Sequence, residues 1–519
     1  MSAHRGLDNR VIMNTEPEYD VCLLLEGTYP YVAGGVSTWI HNLIQALPEI
    51  RFTGLCILPT SELNWEVRYE LPGNIENIQV VYLHDYDHLD QKSKANVWKR
   101  GQNMNLVRDF HYRLRNSDSS LVEKLLSFFH AAGREELTPH DMIYGREAWD
   151  LLVELYNPSE NEVSFIDYFW TFRFTHLPIF KLLQASIPRA KIYHSLSTGY
   201  AGMLGFIAKH LYKKPLLLTE HGIYVKERKI EISQAEWIFE SISEQYRVQK
   251  DLGVFQKFWI NLFETLGRIT YEAADEIYTL YEGNRQLEIS LGADPDKIFI
   301  IPNGIAIEKY SCLKPADYME RGRQDGVLRI GLMGRVVPIK DVKTFIRACK
   351  VASLSLPDAR FLIMGPTEED KQYYQECREM VQLLALEDRV EFTGKIDVMD
   401  YYPILDLIVL TSVSEAQPLV ILEANCAGIP VVASDVGSCR ELLEGRTEED
   451  QALGPSGIVT RVADPAGTAR GITDILMDEK LWRAMSLAGR KRVEIFYRES
   501  DLNRKYLDIY RRFREANPA

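Results

Sequence analysis

Glu415 and Glu423 stand eight positions apart, with Pro418 and then Leu419-Val420-Ile421-Leu422 between them. Pro418 suits the first position of a helix, where a missing N–H costs nothing, and Gly428 followed by Pro430 suits its stop. This places Glu415 in the loop before the helix and Glu423 on its second turn. The helix start presents free N–H groups, which favour an anion such as a phosphate. One short segment thus predicts an anion seat with a carboxylate on each side. A sugar nucleotide asks for that combination: donors for its diphosphate, acceptors for the hydroxyls of its sugar and ribose.

A second constellation follows the apolar run Arg329-Ile330-Gly331-Leu332-Met333. In Gly334-Arg335-Val336-Val337-Pro338-Ile339-Lys340, Arg335 falls at the carboxyl end of a strand, where open α/β sheets bind ligands. Pro338 stiffens the loop carrying Lys340. Two cations there can hold a diphosphate and neutralise it as it leaves; a structural ion pair is the competing reading. His221 also ends a strand, next to Gly222, which permits close approach of a ligand. A satisfied structural histidine is the alternative. Gly34-Gly35 suits either a phosphate-facing backbone or a tight turn.

Asp85-Tyr86-Asp87 closes another strand and has the spacing for a divalent metal on phosphates, against the plainer reading of a solvated turn. A pair of carboxylates also suggests a glycosidase, but a neutral glycoside needs no anion seat beside them. G-x-G-x-x-G follows no strand, which disfavours a nicotinamide dehydrogenase.

The elements that carry these residues alternate. Val21–Leu25, Phe52–Leu58 and Gln79–Leu83 read as strands, with a helix from Ser37 carrying Trp39, Leu43, Ile44 and Leu47 on one stripe. Strands resume at Lys191–His194, Pro215–Thr219, Glu276–Leu280 and Ile298–Ile301. A second alternating unit begins at Leu328 and runs through Arg360–Met364, Val390–Thr393, Leu407–Leu410, Pro430–Ala433 and Gly457–Thr460. This is the pattern of doubly wound parallel sheets. Residues 90–185 break it with helical, aromatic-rich sequence and read as an insertion. Residues 1–18 read as a polar leader, 224–251 as a charged flap and 311–326 as a connector. The expected organisation is a first domain over 1–310 with the insertion at about 90–185, a second over 311–490, and a final helix over 491–519.

The chain has 519 residues, 46% hydrophobic and 26% charged, with a formal net charge of −14. Nucleic-acid and membrane-surface binders are more often basic, so no nucleic-acid partner is expected, and an anionic substrate needs a local basic cluster. Seven scattered cysteines without C-x-x-C suit a reducing cytosol. No run reaches the roughly 18–20 apolar residues of a membrane span, so any membrane recruitment would run through a partner.

Together these motifs resemble the retaining glycosyltransferases of family 4. The E-x7-E pair is met by Glu415 and Glu423, the strand-end G-R-x-x-x-x-K by Gly334, Arg335 and Lys340, and I-P-N-G by Ile301-Pro302-Asn303-Gly304. The run from Asp20 to Val32 with Gly34-Gly35-Val36-Ser37 looks more specifically like the cytosolic transferases of bacterial Pel exopolysaccharide synthesis. The resemblance implies a GT-B fold, two Rossmann-like domains facing a cleft, and metal-independent front-face transfer from a UDP-sugar to a polysaccharide acceptor. It implies no cofactor and an inner-membrane Pel complex as partner. It assigns the diphosphate to Arg335 and Lys340, the ribose to Glu423 and the donor sugar to Glu415. Backbone N–H donors would come from Leu419 and Val420, with Asn303 also on the donor side. His221 would lie beside the reacting carbon and Gly35 would close over the diphosphate. A non-catalytic nucleotide-sugar-binding assembly subunit and a metal-dependent transferase built on Asp85 and Asp87 are the rival readings.

Overall fold

The computed structural model describes residues 18–85, 104–109, 112, 144–156, 164–234, 253–310 and 326–516. The leader, the connector 311–325 and most of the expected flap lie outside these residues.

Two parallel sheets organise the chain. The first contains β1 (Tyr19–Glu26), β2 (Phe52–Leu58), β3 (Ile75–Tyr82), β4 (Ala190–Ser195), β5 (Leu216–Glu220), β6 (Glu276–Thr279) and β7 (Ile298–Ile300), in the order β3-β2-β1-β4-β5-β6-β7. The second contains β8 (Arg329–Met333), β9 (Arg360–Met364), β10 (Val390–Gly394), β11 (Leu407–Leu410), β12 (Val431–Ser434) and β13 (Gly457–Thr460), in the order β10-β9-β8-β11-β12-β13. Each sheet reverses direction once. The reversal falls between β1 and β4 in the first and between β8 and β11 in the second. Such a switch point opens a crevice at the carboxyl ends of the strands.

The strands are short apolar runs because helices cover both faces. Val21 to Leu25 and Leu407 to Val409 are all at most 1% exposed, as sheets buried on both sides require. The chain divides into two compact units. The first takes Met1–Ile277, Leu291–Lys297 and Asp508–Ala519; the second takes Tyr278–Ser290 and Ile298–Leu507. The last helix, Glu499–Ala516, therefore contributes residues to both. In the first unit its end is anchored by Tyr510, whose hydroxyl meets His194 Nδ1 at 2.7 Å.

Within the expected insertion, helices run over Arg146–Leu155 and Phe165–Leu183. Ser164 caps the second by accepting from the Asp167 N–H. The start of the expected flap is a helix, Tyr224–Gln234. The helix expected from Ser37 begins at Gly35 and ends at Ala46. No helix among the described residues is long and apolar enough to cross a membrane.

Candidate functional site

In the second unit the site grows from the switch point. After β8 the chain makes a sharp exit at Gly334 and a short 3₁₀ turn, Pro338–Lys340. After β11 it runs from Thr411 to Pro418 and enters the helix Leu419–Cys426. Three hydrogen bonds tie these loops together. Thr411 Oγ1 donates to the carbonyls of Lys340 (3.1 Å) and Asp341 (3.0 Å), and the Val413 N–H donates to Ile339 at 2.9 Å.

That stitching brings Lys340 to Glu415, with Nζ 2.5 Å from Oε1. Ser412 Oγ donates to the same oxygen at 2.6 Å. The pair is largely shielded, with side chains 22% and 14% exposed. Gly437 holds the Glu415 loop from the other side. Its φ is +54°, and a Cβ there would lie 2.3 Å from the Glu415 carbonyl, so only glycine lets the backbones approach this closely.

Arg335 has a different partner. Its Nη1 meets Glu369 Oε1 at 2.6 Å, and both side chains are about half exposed, 54% and 50%. Glu369 belongs to the loop after β9. Gly365 places that loop against the first, since a Cβ on it would lie 2.0 Å from the Gly334 carbonyl. The two basic residues thus sit on one loop with unlike counter-charges: a shielded one on Lys340 and a solvent-screened one on Arg335.

The helix Leu419–Cys426 has Pro418 as its N-cap, one position earlier than the sequence suggests, and no side chain caps it. The N–H groups of Leu419 and Val420 have no intrahelical acceptors, whereas that of Ile421 donates to the Pro418 carbonyl at 3.1 Å. Glu423 is on the second turn as expected. Its Oε2 accepts from the Tyr402 hydroxyl at 2.6 Å. Asn303 comes to the same helix start through Gln417, whose Oε1 accepts from the Asn303 N–H at 2.7 Å. The Asn303 Oδ1 is buried and has no hydrogen-bond partner. Arg335, Lys340, Glu415, Asn303, Leu419, Val420 and Glu423 all belong to this unit.

His221 and Gly35 belong to the first unit. His221 follows β5, and its ring packs edge-on against Trp39 at 4.5 Å. Trp39 lies on the helix that Gly35 opens, so this packing links the two. That helix has no side-chain cap, and a Cβ on Gly34 or Gly35 would meet nothing within 4 Å. The His221 Nε2 is buried without a hydrogen-bond partner. Burial pushes its pKa down to about 4, so the ring is neutral at pH 7. His194, fully buried beside it, is pushed down to about 3 for the same reason, with His221 adding to the shift.

The space beside Gly222 is filled by this chain itself. A Cβ there would lie 2.2 Å from Glu227 Oε1, so the close approach that Gly222 permits is by a carboxylate and not by a ligand. The segment carrying His221 is pinned at both ends. Buried Glu220 accepts from the Tyr271 hydroxyl (2.5 Å), Thr198 Oγ1 (3.2 Å) and the Tyr224 N–H (3.2 Å). The Tyr224 hydroxyl donates to Glu26. Desolvation raises the pKa of Glu220, Glu26 and Glu227 above the usual carboxylate range.

Asp85 accepts from Thr60 Oγ1 (2.8 Å) and the Ser61 N–H (3.1 Å), as a turn-forming aspartate does. Asp87 lies outside the described residues.

Sequence reasoning passed over Ser412, Glu369, Tyr402, Trp39 and Glu220. Trp39 was legible only as a stripe residue. Glu220, adjacent to His221 at a strand end, carried the one local signal that could have drawn attention.

Two families match the chain. The one described as Domain of unknown function (DUF3492) matches residues 19–296, and Glycosyl transferases group 1 matches residues 319–492. A D-inositol 3-phosphate glycosyltransferase of Streptomyces scabiei is 28% identical over 245 residues, 44% of this chain and 49% of that protein. An alpha-maltose-1-phosphate synthase of Mycolicibacterium smegmatis is 25% identical over 348 residues, 62% of this chain and 79% of that protein. The chain thus spans about half the length of the first of these relatives. Among solved structures, Anabaena HepE in complex with UDP aligns with a TM-score of 0.57 at 15% identity, covering 95% of this chain and 99% of that one. Sucrose-phosphate synthase from Thermosynechococcus elongatus aligns at 0.56 and 16% identity, covering 96% and 99%. The likeness is one of fold: two Rossmann-like parallel-sheet units, the GT-B architecture. The chain belongs to the DUF3492 family and joins that domain to a glycosyl transferases group 1 domain.

Proposed function

We propose that the protein is a retaining glycosyltransferase that takes a UDP-sugar as donor and a growing polysaccharide as acceptor. The observation that carries this reading is the convergence at the β8–β11 switch point. The loop after β8 carries Arg335 and Lys340, and the segment after β11 carries Glu415, the uncapped helix start at Leu419 and Val420, and Glu423, with Lys340 paired to Glu415 between them. The group 1 match over residues 319–492 supports it, as does the fold shared with a UDP-bound relative.

On this reading the diphosphate sits between Arg335, Lys340 and the helix start. Glu423 accepts from the ribose hydroxyls, and Glu415 from the donor sugar. The bond from the anomeric carbon to the leaving phosphate oxygen breaks. A bond to the acceptor hydroxyl forms on the same face, and the acceptor proton passes to the departing phosphate. Lys340 and Arg335 stabilise the charge growing on that phosphate. This route needs no separate general base and no cofactor. His221, neutral at pH 7, is suited to hydrogen-bond an uncharged hydroxyl.

The run from Asp20 to Ser37 resembles PelF, so the acceptor is proposed to be a Pel-like exopolysaccharide, with the enzyme working in the cytoplasm beside inner-membrane Pel components. The deciding experiment is calorimetric titration with a panel of nucleotides and nucleotide sugars, followed by NMR of the transferred anomer. Binding of UDP and transfer with retention from a UDP-hexose or UDP-N-acetylhexosamine are expected. Absence of UDP binding would overturn the donor assignment, and an inverted anomer would overturn the mechanism.

A further inference from the structure

Glu423 stands among unusual company. Tyr402 is fully buried and donates its hydroxyl to Glu423 Oε2 at 2.6 Å. Tyr310, only 8% exposed, stands behind Tyr402. The two rings pack edge to face, with centroids 5.9 Å apart. Each phenol is held well on the neutral side of its ordinary pKa, first by burial and then by the neighbouring charge of Glu423. Both therefore remain donors at any working pH. The carboxylate itself is partly exposed on the helix Leu419–Cys426.

A glutamate on a helix surface ordinarily samples several rotamers. This one does not have that freedom. The short O–H donor of Tyr402, braced by the Tyr310 ring, holds it from behind, and hydrogen bonds from a hydroxyl to a carboxylate are among the stronger ones. An ionised carboxylate has about four acceptor positions. One is taken by Tyr402, and the rest leave room for a pair of hydroxyls in a fixed geometry. A vicinal diol is the group that fits two adjacent acceptor positions on one rigid carboxylate.

We infer that Tyr402 and Tyr310 are positioning residues that lock Glu423 as a reader of a vicinal diol, making the site selective for ribonucleotides over deoxyribonucleotides. The inference rests on the donor reading above and extends it to two residues that touch no ligand. The tyrosines come from separate segments: Tyr402 from the turn before β11, Tyr310 from the end of the 3₁₀ helix Ile307–Tyr310. Nothing local in the sequence ties either to Glu423.

The test uses the full chain, titrated with UDP, 2′-deoxyuridine diphosphate and inorganic pyrophosphate. The parent is expected to prefer UDP over the deoxynucleotide by about ten-fold, the range of one hydrogen bond to a charged group. Tyr402→Phe, and to a lesser degree Tyr310→Leu, which removes the ring braced against Tyr402, should lower that preference to about three-fold or less, while pyrophosphate affinity stays at the parent value. A merely structural tyrosine would lower thermal stability without changing the ratio. Should Tyr402→Phe fail to fold, Tyr310→Leu carries the test by the same ratio. A parent that binds no UDP overturns the donor reading and this inference with it. A parent that binds UDP and the deoxynucleotide equally overturns the diol role of Glu423. A preference that survives both substitutions overturns the positioning role alone.

Discussion

Lys340→Ala and Arg335→Ala should look alike in ligand binding and unlike in stability. Each removes a charge-assisted phosphate contact worth roughly 1.5–3 kcal/mol, so UDP affinity should fall about ten-fold or more in both. The stability cost follows from what each leaves behind. Arg335 leaves Glu369, whose side chain is 50% exposed and fully able to hydrate; such a pair is worth about 0–1 kcal/mol. Lys340 leaves Glu415, 14% exposed and retaining only the Ser412 hydroxyl. Fully buried pairs cost about 3–5 kcal/mol when one partner is removed. For this partly shielded pair the cost should be roughly 1–3 kcal/mol, between the surface and buried limits. A unit of this size shifts its melting temperature by roughly 2–4 °C per kcal/mol. Lys340→Ala should therefore melt several degrees below Arg335→Ala. Adding Glu415→Ala to Lys340→Ala should recover part of the loss, because no lone charge then remains. Calorimetric titration with UDP and thermal melts of the parent and these three variants measure all of this. Parent-like UDP binding in both single variants would refute the placement of the diphosphate. Equal melting temperatures would refute the contrast between a shielded and a screened ion pair.

Glu423→Ala should weaken UDP itself, whereas Glu415→Ala should leave UDP nearly intact and impair turnover of the UDP-sugar; equal effects on UDP would contradict the two roles. Glu369→Gln removes a carboxylate that competes with phosphate for Arg335, so UDP affinity should rise by about two- to five-fold, the size of a solvent-exposed pair, and an unchanged or weaker affinity would count against that competition. The histidines and carboxylates of the first unit should oppose each other in pH dependence. His194 and His221, with pKa values pushed down to about 3 and about 4, contribute stability that is full above pH about 6.5 and lost as pH falls toward those values. Glu220, with its pKa raised by desolvation, contributes stability at low pH that is lost as pH rises through its folded value. Removing that opposing group in Glu220→Gln should make stability climb more steeply from pH about 4.5 upward than in the parent; denaturant melts across pH test this, and parallel curves would reject it.

What could be read along the chain was whatever depends on near neighbours. Short apolar runs between glycine- and proline-marked turns identified the strands of both sheets. Pro418 and Gly428 bracketed the helix that carries Glu423, and the strand-end positions of Arg335 and His221 followed from the same rhythm. Backbone preferences and solvent-driven periodicity act over a few residues, so they leave a local record.

The partners of those residues leave none. Lys340 and Glu415 are 75 positions apart and meet because β8 and β11 are neighbours across the switch point. His194 and Tyr510 are 316 apart. The assignment of Glu369 to Arg335 depends on Gly365 bringing one loop against another, and that of Tyr402 to Glu423 on two segments packed behind one helix. Strand order is the physical reason: the same strands placed in another order would keep every local signal and exchange every partner. The sequence by itself thus determined which charged and polar residues stand at the strand ends and helix start, and, to within a residue or two, where their elements lie. Only the tertiary structure decided which charges face each other and which are shielded from water.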